Sequence, residues 1–213
     1  YFGGFTVGCF VGPRLIMAVG HVRAFTGLTA LLTATCLAFP LYVDVVFWTA
    51  LRFGSGICLA VLYIVVESWL NDSSTNANRG RILSIYIIVA NIVTIAGQLL
   101  VNASDTGGPT LFLVVAILIC LSIVPLSLTP TLTPTPIPSA RLDLPKLFKA
   151  SPVGVVGCLM AGLAEGAFWS LGPVFAQGRG MITADIAWLM AALVFGGTLS
   201  QWPLAWISDT IDR

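Results

Sequence analysis

The chain has 213 residues, of which 57% are hydrophobic and only 9% are charged, and its formal net charge at pH 7 is +1. A soluble domain carries about a quarter charged residues, so the composition excludes a soluble globular protein and predicts a polytopic membrane protein. The net charge alone identifies no partner. We expect the chain to lie in a lipid bilayer and to bind no nucleic acid.

Histidine and cysteine usage gives no sign of a metal or redox site. The one histidine, His21, lies at the end of an apolar segment, which does not favour a histidine-based metal site. No CxxC pair occurs, and cysteines inside apolar segments are typical of small packing residues rather than disulfides or metal ligands. We therefore expect no cofactor and no metal. The cysteines are Cys9, Cys36, Cys58, Cys120 and Cys158.

The two ends of the chain differ from those of a complete membrane protein. The chain opens at Tyr1 directly in apolar sequence, without the charged region and small-residue cleavage site of a signal peptide. It stops within the polar stretch SDTIDR. We therefore expect the chain to be a fragment of a longer membrane protein.

Seven apolar segments follow one another along the chain. A helix rises about 1.5 Å per residue and the hydrocarbon core of a bilayer is about 30 Å thick, so about 20 residues span it. None of the segments alternates with period two, which excludes a β-barrel. We predict an all-α fold with transmembrane helices at about residues 1–19, 24–43, 45–70, 82–101, 111–128, 153–176 and 186–207.

The distribution of basic residues predicts the orientation of the helices. Cytoplasmic loops of membrane proteins carry an excess of lysine and arginine. If Tyr1 lies on the outer side and the helices alternate, only Arg179 falls outside and only Arg52 lies within the membrane. The remaining basic residues then gather on the cytoplasmic side: Arg14, Arg23, Arg79, Arg81, Arg141, Lys146, Lys149 and Arg213.

Glycine is frequent inside the predicted helices. Gly4, Gly8 and Gly12 form two overlapping GxxxG patterns, and Gly54 and Gly56 flank a serine in the third segment. Small residues let helix backbones approach closely in lipid, where no hydrophobic force drives helices together. We interpret most of these glycines as packing positions, with hinge points as the alternative for a minority.

A proline-rich break at residues 129–152 divides the chain. It holds six of the twelve prolines, and proline cannot continue the hydrogen-bond ladder of a helix. Five predicted helices precede this break and two follow it. The RLDLPKLFK part of the break alternates apolar and charged residues. This pattern favours a segment on the inner membrane surface, with a plain solvated linker as the alternative.

The order of these motifs resembles the major facilitator superfamily. Its members carry a glycine–aspartate–basic signature between helices two and three, and PRLIMAVGHVR holds that place with matches at Gly20 and Arg23. Met17 and Pro13 stand where the signature has aspartate and glycine. AWISDTIDR resembles the second copy, with matches at Asp209 and Arg213.

Further matches support the same register. Arg52 and Gly56 fit the RxxxG pattern of the family's fourth helix, and Arg79–Arg81 resembles the basic start of the fifth. VESWLN, NRGR and GTLSQWPLAWISD look most like the uncharacterised YcaD-like branch. The resemblance implies that the seven segments are helices two to eight. Residues 1–128 would then belong to the N-terminal bundle, 129–152 to the central cytoplasmic linker, and 153–213 to the start of the C-terminal bundle.

Four polar side chains inside the helices are candidates for binding a solute or protons. Glu165 lies near the middle of its segment, where apolar surroundings disfavour a charged carboxylate. Its carboxyl group either binds and releases a proton or stays neutral and hydrogen-bonds to a neighbouring helix. Arg52 stays charged and needs an acceptor. Asn91 and Gln98 share one helix face and either line a cavity or hydrogen-bond to a neighbouring helix.

Charged residues at the predicted cytoplasmic ends form a second candidate group. The resemblance implies that such a cluster closes the inner side of the transporter and separates when that side opens. Ordinary surface ion pairs, worth about 0–1 kcal/mol each, are the alternative. The signature glycine Gly20 belongs to the same candidate gate, whose charged residues are Arg23, Glu67, Arg79, Arg81, Asp209 and Arg213.

The resemblance implies a secondary active transporter of the bacterial inner membrane that moves a small solute by alternating access, with protons as the expected coupling ion and a monomer as the expected state. No GxxxxGK[ST] nucleotide loop occurs. An uncoupled facilitator and a sensor or assembly protein on a transporter scaffold are the alternatives. A serine-protease-like enzyme is excluded because His21 and Ser55 belong to opposite sides of the membrane.

Overall fold

The computed structural model describes residues 1–75, 78–103, 107–128 and 144–210, with the backbone alone described at 144 and 201–210. Within these ranges every regular element is helical, which confirms the predicted all-α fold. The helices are α1 (Phe2–Val19), α2 (His21–Ala38), α3 (Val45–Asp72), α4 (Arg79–Leu100), α5 (Thr110–Leu121), α6 (Ile123–Leu128), α7 (Leu144–Ala150), α8 (Pro152–Gly178) and α9 (Thr183–Thr210).

Seven helical segments of the described chain are long and apolar enough to cross a membrane. Their number and order are those predicted, and their ends differ from the predicted ends by a few residues, apart from the end of the last segment, which is given to Ser200 within α9. The segments are Phe2–Val19, His21–Leu41, Val45–Asp72, Arg79–Ala103, Thr110–Leu128, Pro152–Gly178 and Thr183–Ser200.

The connection between α1 and α2 is shorter than the sequence suggested. Helix α1 continues through Pro13 to Val19, and α2 begins at His21, so Gly20 alone forms the turn. Gly20 adopts φ 84°, a backbone conformation that favours glycine. Its N–H donates to the carbonyl oxygen of Ile16 at 2.8 Å. The signature-like segment is therefore largely helical.

The turn between α2 and α3 is held by side-chain to backbone hydrogen bonds. Asp44 is the N-cap of α3, and its carboxylate accepts a hydrogen bond from the N–H of Phe47 at 2.9 Å. The indole N–H of Trp48 donates to the carbonyl oxygens of Phe39 at 3.0 Å and Tyr42 at 3.1 Å. These hydrogen bonds stabilise the short turn between the two helices.

The chain divides into two compact units, and the first comprises Tyr1–Ile82 and Thr106–Arg141. In its described part, α3 packs against α1 and α2, and α2 also packs against α5 and α6. The core of this unit is formed by four buried side chains from three helices, with Leu28 and Trp69 among the residues packed against it. The four are Ile16, Ala24, Val61 and Val65.

Glycines bring α1 and α3 into direct backbone contact. A Cβ atom added at Gly8 would lie 2.7 Å from the Cβ of Ala60 and 2.7 Å from the carbonyl oxygen of Ile57. At Gly4 and Gly56 an added carbon would overlap backbone atoms of the other helix. The GxxxG stripe of α1 is therefore a packing surface, as the sequence indicated.

The second unit comprises Leu83–Asp105 and Leu142–Arg213. In its described part, α9 packs against α8 and against the 3-10 turn Val101–Ala103 that follows α4. Ser151 is the N-cap of α8, and its hydroxyl accepts a hydrogen bond from the N–H of Gly154 at 3.2 Å. The division of the chain at residues 129–152 into two bundles stays a prediction.

Candidate functional site

Arg52 lies in the second turn of α3 with its side chain exposed. Tyr1 is close enough for the charge of Arg52 to act on its hydroxyl group. Partial burial raises the pKa of the Tyr1 hydroxyl and is the largest effect. The nearby Tyr63 raises this pKa further, and the positive charge of Arg52 lowers it. The ring of Phe5 lies 6.0 Å from that of Tyr1 and 6.2 Å from that of Tyr63. Arg52 therefore stands beside an aromatic cluster at the start of α1.

Glu165 occupies the centre of α8. This helix has 27 residues, Pro152–Gly178, and position 165 is thirteen residues from either end. At about 1.5 Å per residue the carboxyl group is roughly 20 Å from each end of the helix. The side chain is exposed, and half-buried Phe168 and Trp169 follow it within the next turn, their ring centroids 6.5 Å apart. A carboxyl group is thus placed at the centre of a helix that is long and apolar enough to cross a membrane.

Asn91 and Gln98 lie on one half-buried face of α4. Between them, Thr94 shares this face and is also half-buried, whereas Ile92 and Val93 are 60% and 63% exposed. The hydroxyl of Thr94 donates to the carbonyl oxygen of Ala90 at 2.8 Å, so its polar atom is satisfied within the helix. The threonine was missed by the sequence analysis, although its spacing of three and four residues from the two amides could have revealed it.

The predicted cytoplasmic charges lie at helix ends of the first unit. Arg23 is in the first turn of α2, Glu67 is near the end of α3, and Arg79 and Arg81 begin α4. All four side chains are exposed, and in the described ranges the structure records no ion pair between Glu67 and these arginines. Gly20 forms the neighbouring turn. The charge cluster stays a prediction.

The second copy of the signature is described only in part. Asp209 lies in the last turn of α9, where the backbone alone is described. Arg213 lies outside the described residues. The predicted gating role of these two residues stays a prediction.

A buried polar pair connects the α1–α2 turn to α3, and the sequence analysis did not find it. His21 is 2% exposed, and its Nε2 atom is 3.1 Å from the hydroxyl oxygen of Ser68. Its ring also lies 6.2 Å from that of Trp69. His21 and Ser68 are 47 positions apart in the chain, so no local pattern could reveal their contact.

Comparison with known proteins identifies the family. The family model of the Major Facilitator Superfamily matches residues 1–213. Proteins named "Uncharacterized MFS-type transporter YcaD" from Escherichia fergusonii and from Escherichia coli O45:K1 are each 32% identical over 215 residues, covering 100% of this chain and 56% of the relative. The chain therefore spans about half the length of the curated relatives it matches. No solved structure matches the chain significantly.

Family and structure together define the class and location of the protein. Among the described residues, seven helical segments are able to cross a membrane, and together with the relatives from Escherichia they make the chain part of a multi-pass protein of the bacterial inner membrane. The resemblance to this family, which rested on the degenerate signatures, the RxxxG pattern and their order along the chain, is confirmed over residues 1–213. The chain belongs to the Major Facilitator Superfamily.

Proposed function

We propose that the protein carrying this chain is a secondary active transporter that moves a small solute across the inner membrane with protons as the coupling ion. The observation that carries the proposal is the position of Glu165 at the centre of the membrane-crossing helix α8. An ionisable residue at membrane depth is costly and is found where it serves a substrate or proton pathway. The family and the names of the relatives support transport as the activity.

Glu165 is the proposed proton-binding group. A carboxyl group in low-dielectric surroundings favours its neutral form, whereas contact with water or with a cation favours the charged form. A conformational change that alternates these surroundings would make Glu165 take up a proton on one side of the membrane and release it on the other. The same group would thereby couple the proton gradient to solute movement.

Arg52 and the amides of Asn91 and Gln98 are proposed to contact the solute or its coupling proton. A guanidinium group within the membrane supplies a permanent positive charge for an anionic group. The two amides supply both donors and acceptors along a half-buried face of α4. Each of these groups suits a polar part of a solute, and none of them requires a bound cofactor. A monomer suffices for this activity.

The exposed charges at the helix ends are proposed to form the cytoplasmic gate. Arg23, Arg79 and Arg81 lie at helix starts, and Glu67 lies at the end of α3, which places opposite charges within the first unit. Pairing of these charges closes the inner side of the transporter, and their separation accompanies the opening of that side. Asp209 and Arg213 would act equivalently in the second half of the protein.

The experiment compares two carboxyl-to-amide variants of the second unit. Glu165→Gln removes the carboxyl group at the centre of α8, and Asp185→Asn removes one in the first turn of α9, where it is exposed. A compound library screened for growth with and without the gene first supplies a transported solute. Purified protein in liposomes then reports solute flux and the accompanying internal pH change.

We expect the wild-type protein and Asp185→Asn to move the solute with a pH change, and Glu165→Gln to lose the pH change. Solute flux without any pH change in the wild type would indicate the uncoupled facilitator. Normal proton movement in Glu165→Gln would remove the coupling role from this residue. Failure of the wild type to move any compound of the library would contradict the transporter assignment itself.

A further inference from the structure

The contact between His21 and Ser68 lies at the end of the first unit where the basic residues indicate the cytoplasm. His21 opens α2 directly after the Gly20 turn, and Ser68 lies near the end of α3. The histidine ring is 2% exposed, and Trp69 packs beside it and against the core of the unit. The hydrogen bond between Nε2 and the serine hydroxyl therefore connects the α1–α2 turn with α3.

The second ring nitrogen of His21, Nδ1, is buried and has no hydrogen-bond partner among the described residues. If the ring hydrogen is on Nε2 and is donated to Ser68, Nδ1 carries a free lone pair, which is the atom a proton would bind. A proton added there would create a buried cation without an acceptor, and such a group is costly unless water or an anion reaches it.

The charged groups around the ring do not supply an acceptor for that proton. The carboxylate of Asp72, one turn beyond Ser68 on α3, is exposed and acts on the ring through its charge only. Helices α5 and α6, which pack against α2, carry one ionisable side chain, the exposed thiol of Cys120. The other charged residues of α1, α2 and α3 near this end are exposed: Arg14, Arg23 and Glu67.

We infer that Nδ1 of His21 is a proton-binding site that becomes accessible from the cytoplasm only when the α1–α2 turn separates from α3. With a neutral ring the junction stays packed through the bond to Ser68. After separation, water reaches the ring, and a proton from the cytoplasm binds Nδ1 to give an imidazolium. The charged ring cannot return to its buried position without releasing that proton, so acidification favours the separated junction. The site does not depend on the transport proposal.

The size of the effect follows from proton linkage. The separated state binds one more proton than the packed state, so the packed state gains stability as pH rises. A water-exposed histidine titrates at about pH 6.5. The apparent equilibrium constant for separation is then multiplied by the factor 1 + 10^(6.5 − pH). This factor is about 1 at pH 8 and about 11 at pH 5.5. We expect about a tenfold rise between these pH values.

The experiment measures thiol accessibility in the full chain in nanodiscs, after replacement of the native cysteines. Ala24→Cys places a thiol at a buried core position, one turn after His21, where the alanine is 3% exposed. Ala18→Cys places a thiol at an exposed position just before the turn. Because pH changes the reactivity of both thiols toward N-ethylmaleimide, the rate at position 24 is divided by the rate at position 18.

We expect this ratio to rise about tenfold from pH 8 to pH 5.5 with His21 present, and to stay constant in His21→Gln. The glutamine side chain can retain a hydrogen bond to Ser68 but does not titrate. Ser68→Ala should raise the ratio at every pH, because the connecting hydrogen bond is lost. A constant ratio in the wild type, or an equal rise in His21→Gln, would overturn the inference.

A second measurement requires no substitution and covers the case in which a variant does not fold. Hydrogen exchange of the peptide that spans the turn, residues 15–25, is compared at acidic and neutral pH after correction for the intrinsic exchange rate. The inference predicts about tenfold less protection at pH 5.5 than at pH 8. Equal protection at both pH values would overturn it.

Discussion

Gly8→Ala tests the direct contact between α1 and α3. The added methyl carbon would lie 2.7 Å from the Cβ of Ala60 and 2.7 Å from the carbonyl oxygen of Ile57, whereas ordinary contacts of this kind lie at 3.4–4 Å. The two helices would therefore have to separate by roughly 1 Å, and overpacking of this kind costs about 1–3 kcal/mol. Two of the three nearest atoms belong to the main chain, so no rotamer change can relieve the contact.

The matched control is Gly54→Ala. Gly54 lies within α3, and a Cβ there meets nothing within 4 Å. Replacing glycine by alanine in a helix adds up to about 1 kcal/mol of helix propensity at either position, so the difference between the variants isolates the packing cost. Converted at about 2–4 °C per kcal/mol, Gly8→Ala should melt roughly 2–12 °C below Gly54→Ala.

The measurement is the melting temperature of the purified protein in detergent, followed by fluorescence-detected size exclusion after heating. Both variants are compared at equal concentration and in the same detergent. If Gly8→Ala melts at or above the temperature of Gly54→Ala, the two helices do not approach as closely as the structure shows, and the argument from backbone contact is wrong.

Two further predictions concern the turn before α3 and the short helix α7. Asp44→Ala should lower the melting temperature by the equivalent of about 1 kcal/mol, because the N–H of Phe47 loses its acceptor, whereas Asp44→Asn should restore most of the stability; equal losses in both variants would contradict the capping role. Phe148 and Lys149 lie about 100° apart on α7 and are both exposed. A spin label at Phe148 should be relaxed mainly by oxygen dissolved in the lipid, whereas one at Lys149 should be relaxed mainly by a water-soluble nickel complex. If the nickel complex relaxes both labels equally, the segment is a solvated linker.

The fold follows from properties that are local in the sequence. The segment Val45–Leu70 has only two charges and is long enough to span a bilayer, and α3 indeed covers Val45–Asp72. The same holds for the other predicted helices, because apolar length is the dominant requirement for crossing a membrane. Glycines spaced by four residues along α1 likewise predicted the packing surface that the structure shows.

The features that were missed depend on distant contacts or on backbone conformation. The pairing of His21 with Ser68 joins residues 47 positions apart, and nothing in either neighbourhood indicates it. The single-residue turn at Gly20 required a positive φ angle at one glycine among 21. Counting residues predicted Glu165 near the middle of its segment, and Glu165 lies at the centre of α8. The membrane depth of Glu165 and Arg52 stays a prediction, because the exposure of both side chains depends on neighbouring helices that the sequence does not reveal.

The backbone contact between α1 and α3 has a mechanical consequence. Helices that touch through long side chains can slide past one another, because rotamers adjust as the helices move. Here glycines of one helix face backbone atoms of the other with no room for an added carbon, so residues that carry a Cβ atom would collide with that backbone if the helices slid past one another. Any large rearrangement of the first unit should therefore move the glycine-packed parts of α1 and α3 together, with displacement taken up where other helices, α2 among them, meet this pair.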